Sequence, residues 1–269
     1  MSDENNYTIW MFLKKCYDRD WIYEGRDVMP WCPRCGTGLS QHEIVTEGYK
    51  EIEHPGLYVR FPLVNTERES LLVWTTTPWT LTSNTAAAVN PELIYAKVSQ
   101  GDEILYLSKD RMSSLNGDYK ILEEIEGKQL LGFEYVGPFA ELPVQEDVKP
   151  KVIAGKEVSN SEGTGIVHIA PGAGAEDFAL SKDLENISVI APLDEFGDFI
   201  GGFGWLTGRN VYEVNEDIYA SLKQKNAFYR LEKYRHRYPV CWRCHSELVY
   251  RLVNESFITM DQLREMIAE

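Results

Sequence analysis

At 269 residues, 43% apolar and 26% charged, the chain is long enough for one large domain or two ordinary ones, each with a core of its own. No apolar run approaches the roughly 20 residues a membrane helix needs, and the acidic, polar start "MSDENNYTIW" is unlike a signal peptide. A net charge of −15 argues against sequence-independent nucleic-acid binding by the whole surface. A cytoplasmic, monomeric protein with no membrane partner is therefore expected.

In chain order, residues 5–17, "NNYTIWMFLKKCY", place Ile9, Phe12, Leu13 and Cys16 on one helical face, with Cys16 in the core and no start signal beyond Asn5. The stretches 57–64, 69–77, 93–99 and 103–108 read as strands separated by turn residues. The second of these runs into "WTTTPWTLTSN" (74–84), where Thr75, Thr76 and Thr77 meet Pro78 between two tryptophans. Threonine suits a pleated surface, and Pro78 donates no ladder hydrogen bond, so a strand end carrying a hydroxyl cluster is predicted. "GTGIVHIAP" (163–171) reads as a further strand, followed by helices near 174–183 and 214–225. The last segment opens with a capping-box pattern, Thr259 to Gln262.

Residues 223–251 concentrate charge, with eight Lys or Arg against Glu232 and Glu247. This is either a solvated basic face or one turned toward phosphates. Tyr229, Tyr234, Tyr238 and Trp242 interleave with the basic residues, a composition that suits stacking on single-stranded nucleic acid.

Five cysteines stand at 16, 32, 35, 241 and 244, and four of them form the pairs "WCPRCG" and "CWRCHS". Two C-x-x-C turns complete a tetrahedral four-thiolate zinc site. Disulfides are disfavoured in a cytoplasmic chain, and a thioredoxin-like redox motif needs one pair, not two. Cys32, Cys35, Cys241 and Cys244 are thus predicted to hold one structural zinc. His42, His236 and His245 are alternative ligands, although four cysteines already fill the shell. Zinc ribbons separate their pairs by roughly 15–20 residues, whereas 206 positions separate Cys35 from Cys241 here. The intervening chain must leave and return, which predicts an α+β architecture: a strand-rich barrel with flanking helices, inserted into a small zinc-ribbon-like module. The expected divisions are 1–50 and 233–269 for the module and 51–232 for the insertion.

In "GTGIVHIAPGAGAEDF" (163–178), Gly172 and Gly174 make a loop where backbone can be approached closely, and Glu176 and Asp177 fall in the first turn of the next helix. Asp177 could simply offset the helix dipole, and His168 could be a satisfied core histidine. Taken with "WTTTPWTL" and the split cysteine pairs, however, the segment resembles the editing insertion of isoleucyl-tRNA synthetases, in the class I family, over nearly the whole chain. Valyl and leucyl members resemble it too, but typically carry Arg-Pro after the threonines and "PAHD" in the second motif; this chain has Thr77-Pro78-Trp79 and "PGAGAED". Neither the His-x-Gly-His nor the Lys-Met-Ser-Lys-Ser signature of the family's ATP-dependent core is present.

The resemblance implies hydrolysis of valine from the 3′ end of mischarged tRNA(Ile), with valyl-adenylate a further candidate, and the rest of a parent synthetase as partner. It implies water attack assisted by a ribose hydroxyl, with Asp177 gripping the substrate ammonium. Thr75, Thr76 and Thr77 would hold the ribose, the ester carbonyl and a water. His168 would wall the side-chain pocket against isoleucine, with Trp79, Gly172 and Gly174 beside it. The alternatives are a stand-alone deacylase, a valyl-type editing domain, and a non-catalytic zinc-and-barrel protein that binds single-stranded nucleic acid.

Overall fold

The structure, a computed structural model, describes residues 2–184, 187–261 and 264, the side chains of 46 and 47 excepted. The chain divides into two compact units, one of residues 1–27 with 252–269 and the other of residues 28–251. In chain order the elements begin with α1 (Asp3–Tyr17), β1 (Ile22–Cys32), β2 (Thr37–Gly38), α2 (Gln41–Glu47), β3 (Tyr49–Pro62) and β4 (Glu69–Thr75). They continue with β5 (Ala86–Val89), β6 (Ile94–Gln100), β7 (Glu103–Ser108), β8 (Lys120–Glu126), β9 (Lys151–Ala154) and β10 (Val167–Ile169). The series closes with α3 (Ala175–Lys182), α4 (Asn215–Gln224), β11 (Phe228–Pro239) and β12 (Val249–Ile258).

In the smaller unit, Ser2 caps α1 by accepting the Asn5 N–H at 3.4 Å, a start signal just ahead of the residue expected. Cys16 is buried, but Ile9 and Phe12 are each 52% exposed, so the predicted apolar face does not sink into a core. Tyr23 stacks on Phe257 in the same unit. Gln262, the far end of the capping box expected from Thr259, and most of the helix it would open lie outside the described residues.

The larger unit is built on a six-stranded mixed sheet in the order β11-β3-β4-β7-β6-β8. Its centre, β4 "ESLLVWT", is a near-continuous apolar run, as a strand flanked on both sides requires, and Leu72 packs with Tyr58, Val98, Leu105 and Leu107 in a dry cluster. The expected barrel does not close: β11 and β8 each pair on one side only among the described residues. Both outer strands are heavily charged, β11 with Lys and Arg and β8 with Glu, which solvates an open edge and discourages further pairing.

A second, three-stranded sheet has the order β10-β5-β9. Its middle strand, "AAAV", is fully buried; small side chains let Ile153, Val158 and Ile169 close over it. A third sheet orders β12-β1-β2. The strand expected at 163–171 is shortened to three residues because Gly163 and Gly165 turn at φ +60° and +73°, a region glycine enters freely. Among the described residues, no helix is long and apolar enough to cross a membrane.

Candidate functional site

Strand β4 ends at Thr75, which is buried at 6% exposure. Beyond it the backbone turns, and the Thr77 N–H donates to Thr75 Oγ1 at 3.1 Å. Pro78 then sits at the first position of a short 3-10 helix, Pro78–Ser83, where its missing N–H costs nothing. All six residues of that helix are buried, Trp79 at 7% exposure. Buried hydrogen bonds pin it: Gln145 Nε2 donates to the Thr82 carbonyl at 2.7 Å, and Thr82 Oγ1 to the Trp79 carbonyl at 2.8 Å. The hydroxyl cluster is therefore rigid, not a solvent-exposed loop.

Thr80, not among the residues predicted for the site, turns out to be its connector. Its Oγ1 lies 2.7 Å from the Thr77 carbonyl, 3.2 Å from Thr77 Oγ1 and 2.9 Å from His168 Nε2. His168, on β10 opposite Ala87, is buried, and burial pushes its pKa down to about 4, so the ring is neutral at physiological pH. The structure thus joins Thr75, Thr77, Thr80 and His168 in one hydrogen-bonded chain.

Asp177 stands in the first turn of α3, where Gly174 offers no side-chain cap. Its Oδ2 accepts the Ala170 N–H at 2.8 Å. Burial raises its pKa to about 6, the Ala170 bond opposes that rise, and neighbouring Glu176 adds to it. The carboxyl borders a cavity of about 520 Å³ with one aliphatic side, Ala88, Val158, Val167, Ile169 and Leu180, and one polar side that includes Lys156, Glu157, Ser159 and Glu176. Thr76, Thr77 and Trp79 line a different cavity, of about 510 Å³, together with His54, Tyr212 and Glu247. The threonine chain and Asp177 therefore face separate openings.

Gly172 has a packing reason to be glycine: a Cβ there would stand 1.9 Å from the Ile190 carbonyl oxygen. At Gly174 a Cβ would come within 3.1 Å of Asp177 Oδ2 and crowd the carboxyl.

A further chain of titratable groups borders the threonine cavity. His54 Nε2 meets Glu247 Oε2 at 3.1 Å, and its Nδ1 meets His236 Nε2 at 3.0 Å. His236, weighed as a metal ligand, is engaged in this chain instead. His54 and Glu247 carry no signal in the linear sequence, since 193 positions separate them.

The sulfur atoms of Cys32, Cys35, Cys241 and Cys244 all lie within 4.8 Å of one another, and none is in a disulfide. Both turns share one geometry: the Gly36 N–H donates to the Cys32 carbonyl at 2.9 Å, and the His245 N–H to the Cys241 carbonyl at 2.8 Å. Gly36 and His245 close them at φ +62° and +61°. A zinc with bonds near 2.3 Å spaces tetrahedral sulfurs by about 3.8 Å, and the Cys32 and Cys244 sulfurs are 3.4 Å apart. The donor set fits the metal.

Residues 1–269 match the family of class I tRNA synthetases (I, L, M and V). Isoleucine–tRNA ligase of Sulfolobus acidocaldarius is 38% identical over 265 residues, covering 95% of this chain and 25% of that protein. The Clostridium tetani isoleucine–tRNA ligase is 37% identical over 270 residues, covering 98% and 26%. The chain spans about a quarter of the length of these curated relatives. Among solved structures, that of GlLeuRS-CP1 aligns with a TM-score of 0.55 at 16% identity, over 68% of this chain and 99% of that one, a likeness of fold.

Proposed function

The chain belongs to the class I tRNA synthetases of the isoleucine, leucine, methionine and valine group, and we propose that it is the editing part of an isoleucine-specific member, hydrolysing valyl-tRNA(Ile). The observation that carries this reading is the buried hydroxyl chain from Thr75 to His168, which has no group to turn a hydroxyl into a nucleophile. His168 is too weak a base at a pKa of about 4, and its Nε2 is already engaged. Such a site positions an ester and a water, with a ribose hydroxyl of the tRNA end helping to deprotonate the water.

The need for a second site follows from magnitudes. One methylene separates valine from isoleucine, and a pocket gains only about 1–3 kcal/mol from it, a limit for which isoleucyl-tRNA synthetases are themselves the standard illustration. Hydrolysis in a pocket that admits valine and excludes isoleucine supplies the rest. Asp177 is assigned to the substrate ammonium, because a charge-assisted hydrogen bond holds it strongly and the aliphatic side of the cavity beside it suits a small side chain. Thr75, Thr76 and Thr77 are assigned to the ribose, carbonyl and water, and His168 and Trp79 to the wall of the sieve. Hydrolysis of valyl-adenylate belongs to the same proposal, as do the domain limits near 50 and 232, a monomeric state and a cytoplasmic location.

Cys32, Cys35, Cys241 and Cys244 would hold one structural zinc, closing two turns far apart in sequence and leaving no open position for chemistry. The rival single-stranded nucleic-acid surface finds little support in β11, although Trp242 beyond it is 42% exposed. Strand alternation turns Lys233, Arg235 and Arg237 outward, while Tyr234 packs edge-on against Trp74 and Tyr238 against His54. A deacylation assay with valyl-tRNA(Ile) tests the proposal: turnover well above the uncatalysed rate is expected, and its absence would overturn the hydrolase reading.

A further inference from the structure

The proton count around Thr80 leads beyond the residues already assigned. Its hydroxyl has one hydrogen, and the nearest acceptor is the Thr77 carbonyl at 2.7 Å. Toward His168 Nε2, at 2.9 Å, the Thr80 oxygen is then left to accept, so the ring carries its proton on Nε2. The reverse arrangement would place a hydrogen on His168 Nδ1, a buried atom without a hydrogen-bond partner in the structure. An orphaned buried N–H is less tolerable than a bare lone pair.

We propose that Thr80 is a positioning residue that locks His168 in the Nε2–H tautomer and so fixes the hydrogen-bond direction at the buried end of the hydroxyl chain, whose Thr77 end borders the threonine cavity. The same threonine ties the His168 ring to the hydroxyl and carbonyl of Thr77, so the tautomer and the hydroxyl chain are set together. The neutral ring that this role needs is secured by burial, which keeps the pKa near 4. Only the effect on turnover rests on the hydrolase reading; the tautomer does not.

The test is nitrogen-15 NMR of the full chain with labelled histidine at neutral pH, the His168 signals being assigned by their loss in His168→Gln. A protonated Nε2 and a bare Nδ1 are expected, changing to a mixture or to Nδ1–H in Thr80→Val and restored in Thr80→Ser. In parallel, kcat for valyl-tRNA(Ile) should fall about tenfold in Thr80→Val at little-changed KM and return in Thr80→Ser. An Nδ1–H ring in the unsubstituted chain, or an unaltered tautomer in Thr80→Val, would overturn the assignment. Failure of the unsubstituted chain to deacylate contradicts the hydrolase reading alone, because the NMR result decides the Thr80 assignment either way.

Discussion

Asp177 holds its proton unusually far toward neutrality because its carboxyl is partly withdrawn from water, and one backbone N–H does not offset that loss. If the carboxylate is the ammonium anchor, kcat/KM for valyl-tRNA(Ile), corrected for base-promoted hydrolysis, should rise with pH around a midpoint of about 6 in the free chain. The same shift has a stability signature. Its folded pKa is raised, so its contribution to stability is intact below the ordinary value of 3.8 and lost as pH rises through about 6. Asp177→Asn removes that loss, so its Tm relative to the unsubstituted chain should increase from acid to neutral pH; a constant difference contradicts the shift. Asp177→Ala should lower deacylation by about two orders of magnitude, the scale of a charged hydrogen bond, with an unchanged circular dichroism spectrum. His168→Ala should open the pocket so that isoleucyl-tRNA(Ile) is attacked as well; unchanged selectivity would remove His168 from the sieve. The individual polar residues named from the sequence were visible because their motifs are contiguous. Thr80 was not, since its partner His168 lies 88 positions away and only β-pairing brings them together.

Elements show a different division. The cores of β3, β4, β6 and β7 and the helices α3 and α4 follow apolar patterning and lie close to where it placed them. β11 was legible only as a basic stretch: its alternation is of charge with aromatics, so the period of 2 was masked by composition. β8, "KILEEIE", is concealed in the same way by its acids, and β5, "AAAV", by alanine's weak preference for strands. The barrel expectation came from kinship, and two charged edges explain why the sheet stays open. At the loop before α3, Gly172→Ala should cost roughly 1–3 kcal/mol through collision with the Ile190 carbonyl, seen as a fall in Tm. A Tm equal to that of the unsubstituted chain would show that the loop yields. The cysteine cluster should yield about one zinc per chain by metal analysis, and chelation should lower Tm. A well-folded metal-free protein of the same stability contradicts the site.

At the scale of the whole molecule, a chain with net charge −15 has little general attraction for tRNA, so recognition falls to the acylated end and not to a basic surface. Of the openings in the larger unit, one is lined by Thr76, Thr77 and Trp79 and another by Asp177 beside an aliphatic side. The sequence motifs named Thr76, Thr77 and Trp79 for one and Asp177 for the other but not their separation, which depends on how β10 and α3 fold back past β5. The account requires both regions to act on one ester, the first on its ribose and water and the second on its ammonium. The most direct measurement is the rate at which the chain and its Asp177→Ala variant deacylate valyl-tRNA(Ile) and isoleucyl-tRNA(Ile) side by side. Rapid loss of valine only, slowed about a hundredfold in the variant, is the predicted result; equal loss of both amino acids, or a variant as active as the unsubstituted chain, would contradict it.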